Sequence, residues 1–195
     1  MNLPNKITLA RIYMSLLIIV ILLFPFDAIG LSIPKLFINE SIVVDLKYVI
    51  AGILFIVASL SDFLDGYLAR KYNLITDFGK MMDAIADKIL VNSVLIILAS
   101  QGFIHPLIPV IIILRDTFVN SIKMAAGNKG SVVAASMMGK FKTTFLMIGI
   151  TLTLFYNLPF ELFNLKIAEL LLAIACILSI ISGINYYNAN KKYIF

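Results

Sequence analysis

Asp62 and Asp65 stand three residues apart, and Asp83 and Asp87 four apart, in a chain that is 61% hydrophobic. Both spacings stack side chains on one face of a helix. With Asp77, these residues put five of the chain's eleven acids between positions 62 and 87. An ionisable group at membrane depth is costly and marks a functional site by default. Four carboxylates in one low-dielectric pocket repel one another. The plainer alternative is that they pair with Arg70, Lys80 and Lys88 or line a solvated helix end. The full constellation favours a missing positive charge, read here as metal. An all-oxygen set of hard ligands suits Mg²⁺ or Mn²⁺. Gly66 and Gly79 remove side chains where a backbone or ligand must come close. Arg70 offers a planar fork suited to phosphate.

The elements that position these groups follow from the hydropathy pattern. The 195 residues include 14% charged residues, no Trp and a net charge of +5, with a mean hydropathy of +1.01. A soluble domain is nearer a quarter charged. The chain therefore reads as a polytopic membrane protein, all-α, and one domain over 1–195 because no polar linker divides it. A polar lead over 1–11, in which Pro4 suits a first helical turn and Asn2 a cap before it, precedes an apolar run from Ile12 to Phe24. No small-residue cleavage site follows that run, so it reads as a retained span. A mixed loop over 26–46 is predicted to hold a short interfacial helix at 33–39. Further helices are predicted over about 46–70, 78–100, from Pro106 or Pro109 to Leu114, 141–156 and 165–187. Thr76 or Asp77 is placed to cap the third. Residues 120–142 read as a polar connection.

Six spans place both termini on one side. With that side cytoplasmic, thirteen of the sixteen Lys and Arg residues lie inside, and only Lys35, Lys47 and Lys166 lie outside. Positive charge favours the cytoplasmic face. The expected location is thus the cell membrane, with N- and C-termini cytoplasmic. The acidic pairs, Arg115, Lys140 and Lys142 then share the cytoplasmic end. Asp27, Glu40, Asp45, Glu161 and Glu169 read as loop solvation on the other side.

Asp62-x-x-Asp65-Gly66-x-x-Ala69-Arg70, then eight residues, then Gly79-x-x-x-Asp83-x-x-x-Asp87 resembles the defining motif of the CDP-alcohol phosphatidyltransferases, with every fixed position filled. The resemblance implies six transmembrane helices around a cytoplasm-facing polar cavity, two divalent cations, a homodimer, and a CDP-linked lipid as donor. By resemblance Asp62, Asp65 and Asp83 are metal ligands, Asp87 completes the site and is the general base, and Gly66, Ala69, Arg70 and Gly79 line the nucleotide pocket together with Asp62. A base must reach the attacking hydroxyl, and the carboxylate in the least cation-rich position is the natural candidate.

The motif leaves the acceptor alcohol open. Asn5-Lys6-Ile7-Thr8-Leu9-Ala10-Arg11, Ala86-Asp87-Lys88-Ile89-Leu90, Leu114-Arg115-Asp116 and Gly139-Lys140-Phe141-Lys142-Thr143-Thr144 resemble the branch that uses sn-glycerol 3-phosphate. This chain has Arg115-Asp116 where bacterial members of that branch usually have Arg-Glu, and Phe145-Leu146-Met147 where they often have Gln. The branch implies CDP-diacylglycerol as donor. Arg115, Lys140, Lys142 and Arg11 are then the acceptor's phosphate ligands, with Asn5, Thr8 and Arg11 at the cavity mouth, near the donor's phosphates or the acceptor. The alternatives are the same chemistry on inositol phosphate, serine or phosphatidylglycerol, and, from another class, a divalent-cation transporter. No second path of acids crosses the membrane to serve transport.

Other chemistry finds no support. Cys176 is a lone thiol in an apolar run. His105, beside Pro106, lies in a predicted outer loop, away from any triad partner. Gly127-Asn128-Lys129-Gly130 lacks the spacing of a phosphate-binding loop. No feature points to nucleic acid beyond the donor's nucleotide.

Overall fold

The first helix opens within the polar lead, where Asn2 and Pro4 suggest a start, with Asn2 at its N-cap position. α1 spans Leu3–Leu23, so the polar lead is helical, with Pro4 in its first turn. A proline there loses no backbone bond and presets the helical φ. The buried residues of α1 are Pro4, Thr8, Arg11, Ser15, Ile18 and Leu22. Their steps of four and three make a single stripe, polar over its first half and apolar over its second. The computed structural model describes residues 2–31, 33–38, 42–72, 74, 76–128 and 137–191. The sequence expectations for Glu40, Lys129, Gly130 and Lys192 fall outside these residues.

The described part of the segment predicted as an interfacial helix, 33–38, is not helical. Lys35–Ile38 (β1) pairs antiparallel with Ile42–Asp45 (β2), with Lys35 opposite Asp45 and Ile38 opposite Ile42. β-Branched Ile42, Val43 and Val44 supply a partner strand, and such residues favour the extended state. Among the described residues five α-helices follow: α2 (Leu46–Lys71), α3 (Asp77–Ser100), α4 (Leu107–Asn128), α5 (Met137–Leu154) and α6 (Ile167–Asn190). Asp45 caps α2 by accepting from the Lys47 backbone N–H, and Thr76 caps α3 by accepting from that of Gly79. α4 does not stop at Arg115 but continues for three more turns, and α5 starts four residues early. The charged residues near these ends therefore lie on helices, not on a loop.

α1 packs on α2 and α3, while α6 packs on α4 and α5. The two groups share a core that includes Phe55, Leu95, Leu98, Ile112, Ile150 and Leu172, all fully buried. Glycines allow close crossings. A Cβ at Gly149 would stand 2.8 Å from Leu172 Cδ2, and one at Gly52 would stand 2.7 Å from the Phe155 ring. Such small-residue contacts are how helices associate where lipid removes the hydrophobic drive. The outward faces stay apolar: Leu16, Leu17, Ile53, Leu170, Ile177 and Ile184 are all exposed. Among the described residues three helices, α1, α2 and α6, are long and apolar enough to cross a membrane. The chain is a membrane protein with several candidate spans.

Polar bonds tie the end of the bundle opposite the acids. The Tyr48 hydroxyl donates to Gln101, Gln101 donates to the Leu22 carbonyl, and the Asp45 N–H donates to the Tyr156 hydroxyl. The ends of α1 and α3, the start of α2 and the residues after α5 thus meet there. Asp62, Asp65 and Asp83 lie at the other end.

Candidate active site

α1, α2 and α3 converge on a cluster that none of them builds alone. Carboxylate oxygens of Asp62, Asp65 and Asp83 lie within 4.8 Å of one another, a set that can hold a metal ion. A positive charge already stands among them. The Arg11 guanidinium, fully buried, donates through Nη1 to Asp62 and, at 3.0 Å, to Asp83, and through Nη2 to Asp65. Thr8 donates to the same Asp65 oxygen at 3.0 Å. Arg11 engages one oxygen of each carboxylate, which leaves a second oxygen on each for a cation. One guanidinium against three carboxylates leaves the cluster net negative, and hard all-oxygen ligands suit Mg²⁺ or Mn²⁺.

Beside the cluster lies a cavity of about 280 Å³, walled by Asn5, Thr8, Asp65, Gly66, Ala69, Arg70, Thr76, Gly79, Lys80 and Asp83 among others. Of the residues expected around a nucleotide, Asn5, Thr8, Gly66, Ala69, Arg70 and Gly79 share this one space, whereas Asp62, expected with them, does not line it. Gly79 lies in close packing against two side chains. A Cβ there would stand 2.6 Å from Asn5 Oδ1 and 3.0 Å from Thr76 Oγ1. Gly66 is not crowded by protein: a Cβ there would meet only Arg70, at 3.7 Å.

A second cavity, of about 490 Å³, lies between α3, α4, α5 and α6. Its wall carries five cations, Lys88, Arg115, Lys123, Lys140 and Lys142, against two carboxylates, Asp87 and Asp116. Asp116 ties the basic groups together. It accepts from Arg115 Nη1 at 2.9 Å and from Lys142 Nζ at 2.8 and 2.9 Å. Arg115 Nη2 donates to Ser182 of α6 at 2.8 Å. Gly183 lets α6 come this near: a Cβ there would stand 3.2 Å from Arg115 Cγ.

Asp83 and Asp87 are one turn apart on α3, yet they face different cavities. Asp87 is not among the three clustered carboxylates. It is within electrostatic reach of Arg11 and Asp83 on one side and of Lys142 and Asp116 on the other. Arg115, Lys140 and Lys142 stand together as expected. Arg11, expected with them at an acceptor phosphate, does not. It is held in the acid cluster, because the stripe on α1 that carries Thr8 and Ser15 turns it toward α2 and α3. Lys80 pairs with Asp77, away from the cluster.

Sequence reasoning gave no role to Asp116 or Ser182 and misplaced Arg11. The steps of three and four from Thr8 through Arg11 and Ser15 to Ile18 were the signal that the polar lead is a buried helical face. Ser179, Ser182, Gly183 and Tyr186 carry the same signal on α6.

A family model described as CDP-alcohol phosphatidyltransferase matches residues 1–181. The chain is 42% identical over 189 residues to the CDP-diacylglycerol–glycerol-3-phosphate 3-phosphatidyltransferase of Bacillus subtilis, covering 97% of this chain and 95% of that protein. It is 35% identical to the protein of the same name from Rickettsia bellii, with 98% and 97% covered, and 34% identical to that of Haemophilus influenzae, with 97% and 94% covered. Motif, near-complete coverage and the clustered carboxylates agree, and the chain belongs to the CDP-alcohol phosphatidyltransferase family.

Proposed function

We propose that this chain transfers the phosphatidyl group of CDP-diacylglycerol to sn-glycerol 3-phosphate, giving phosphatidylglycerol phosphate and CMP. The name shared by its full-length relatives supports the donor and the acceptor. One structural observation carries the reading further. A single turn of α3 presents Asp83 to a nucleotide-sized cavity and Asp87 to a cationic one. A reaction between a diphosphate donor and a phosphate-bearing alcohol needs this arrangement.

Arg70 holds the donor's phosphates by its fork, and Asn5, Thr8, Gly66, Ala69 and Gly79 shape the nucleotide's space. Asp62, Asp65 and Asp83 would hold the two divalent cations, which would supply positive charge to the diphosphate and to the departing CMP. Arg115, Lys142 and Lys140 bind the acceptor's phosphate by charge-assisted hydrogen bonds. That fixes the acceptor's primary hydroxyl near Asp87. An Asp87 carboxylate oxygen takes the hydroxyl proton. The hydroxyl oxygen bonds to the lipid-side phosphorus, and the bond from that phosphorus to the bridging oxygen breaks, so that oxygen leaves with CMP. Fixing both reactants in adjoining spaces also removes much of the entropic barrier.

The resemblance supports six spans, cytoplasmic termini and a homodimer as parts of the same proposal. The test is CMP release by purified protein with Mg²⁺, CDP-diacylglycerol and one alcohol at a time. Turnover is expected with sn-glycerol 3-phosphate. Turnover with inositol phosphate, serine or phosphatidylglycerol in its place would overturn the acceptor.

A further inference from the structure

The basic wall of the larger polar cavity already holds an anion of its own. Lys142 is 5% exposed, and both of its described hydrogen bonds go to Asp116. Arg115 is nearly as buried and shares the same carboxylate. A buried ammonium without a partner is costly, and removing one member of a buried pair leaves the other uncompensated. An acceptor site walled by such cations therefore needs a resident anion while it is empty. Asp116 is suited to leave when a better anion arrives. It is the most exposed of the three, with 28% of its side chain accessible. A phosphate offers three outer oxygens and up to two charges, so it can satisfy Arg115 and Lys142 together. Five cations against two carboxylates keep the cavity attractive to an anion even with Asp116 in place.

We propose that Asp116 is a positioning residue that stands in for the acceptor's phosphate. It holds Arg115 and Lys142 in place in the empty site and releases both as the phosphate binds. This rests on the reading of the cavity as the acceptor site. The carboxylate and the acceptor then compete for the same donors, so neutralising Asp116 destabilises the empty protein and strengthens anion binding.

The experiment uses the full chain in lipid nanodiscs without donor lipid, so that no turnover occurs. Thermal unfolding is followed against sn-glycerol 3-phosphate and, separately, inorganic phosphate. Asp116→Asn is expected to lower the unliganded Tm. Its ligand-induced rise in Tm should exceed that of wild type, with half-saturation shifted down on the order of fivefold. In steady state the acceptor KM should fall with no gain in kcat. A lower Tm with an unchanged half-saturation means a structural contact only and overturns the proposal, as does weaker binding. Should Asp116→Asn not fold, Asp116→Asn/Lys142→Gln is compared with Lys142→Gln, since neither leaves Lys142 charged and unpaired. The double variant should bind phosphate more tightly, because Asp116 no longer competes for Arg115. Equal or weaker binding overturns the proposal. If wild type itself is not stabilised by either ligand, the acceptor-site reading fails, and the role of Asp116 fails with it.

Discussion

Asp87 and Arg11 illustrate how one charged side chain can do different work from its neighbours. Asp87 shares a helix face with Asp83 but not its cavity. Replacing Asp87 with Asn keeps shape and removes the proposed proton acceptor. The expected result is a fall in kcat of about 10²- to 10⁴-fold, the usual weight of general-base catalysis, with CDP-diacylglycerol affinity nearly unchanged. Donor binding measured apart from turnover checks this, and lost donor affinity would return Asp87 to the ligand set. Arg11 is the converse. It is fully buried among three carboxylates, so Arg11→Gln leaves them to repel one another. Breaking a buried pair costs about 3–5 kcal/mol, and the metal-free protein should lose stability on that scale. Mn²⁺ should restore more stability to the variant than it adds to wild type, as thermal unfolding with and without the ion would read. An equal Mn²⁺ effect in both proteins would mean that Arg11 and cation do not share the cluster. The acids were legible in the sequence because their types and intervals are rare in an apolar chain. Arg11 was not, because a single basic residue before an apolar run looks the same whether it anchors a span in the interface or points inward.

At the scale of elements, the site depends on how α1 and α3 start. The sequence marked the start of α3 correctly: Thr76 precedes an amphipathic run and accepts from the Gly79 N–H at 3.0 Å. It missed the strand pair Lys35–Ile38 and Ile42–Asp45 because strand pairing depends on a partner segment, which local propensity does not show. It also stopped α4 too early, since Arg115 and Asp116 look like a helix end until their partners Lys142 and Ser182 are seen across the bundle. The two glycines of the acidic motif separate packing from ligand space. A Cβ at position 79 collides with Asn5 and crowds the Thr76 cap, whereas one at position 66 is in ordinary contact with Arg70. Gly79→Ala should therefore destabilise the fold by about 1 kcal/mol, the usual cost of a lost N-cap, and raise the donor KM. Gly66→Ala should raise the donor KM with little change in Tm. Paired melting curves and donor titrations distinguish these outcomes. A Tm drop for Gly66→Ala equal to that for Gly79→Ala would refute the distinction.

For the whole molecule, the decisive quantity is orientation, because the proposed acceptor is a charged solute that cannot cross lipid. The two ends of the bundle differ in kind. One carries the three clustered carboxylates, Arg70, Arg115 and Lys142. The other is held by Tyr48, Gln101, Tyr156 and the strand pair. The bias of thirteen basic residues to three predicts that the first end faces the cytoplasm. Lys71 and Lys166 are both exposed and belong to opposite ends by that count. In a Cys176→Ser background, which removes the native thiol, Lys71→Cys and Lys166→Cys each give one reporter thiol. A membrane-impermeant maleimide added to intact cells should label the Lys166→Cys protein and reach the Lys71→Cys protein only after permeabilisation. The reverse pattern would put both polar cavities outside the cell, cut off from cytoplasmic glycerol phosphate and from recycling of CMP. The proposed acceptor would then be untenable, however well Arg115 and Lys142 fit a phosphate. Labelling of both variants in intact cells would break the six-span count itself, since Lys71 and Lys166 would then share a side.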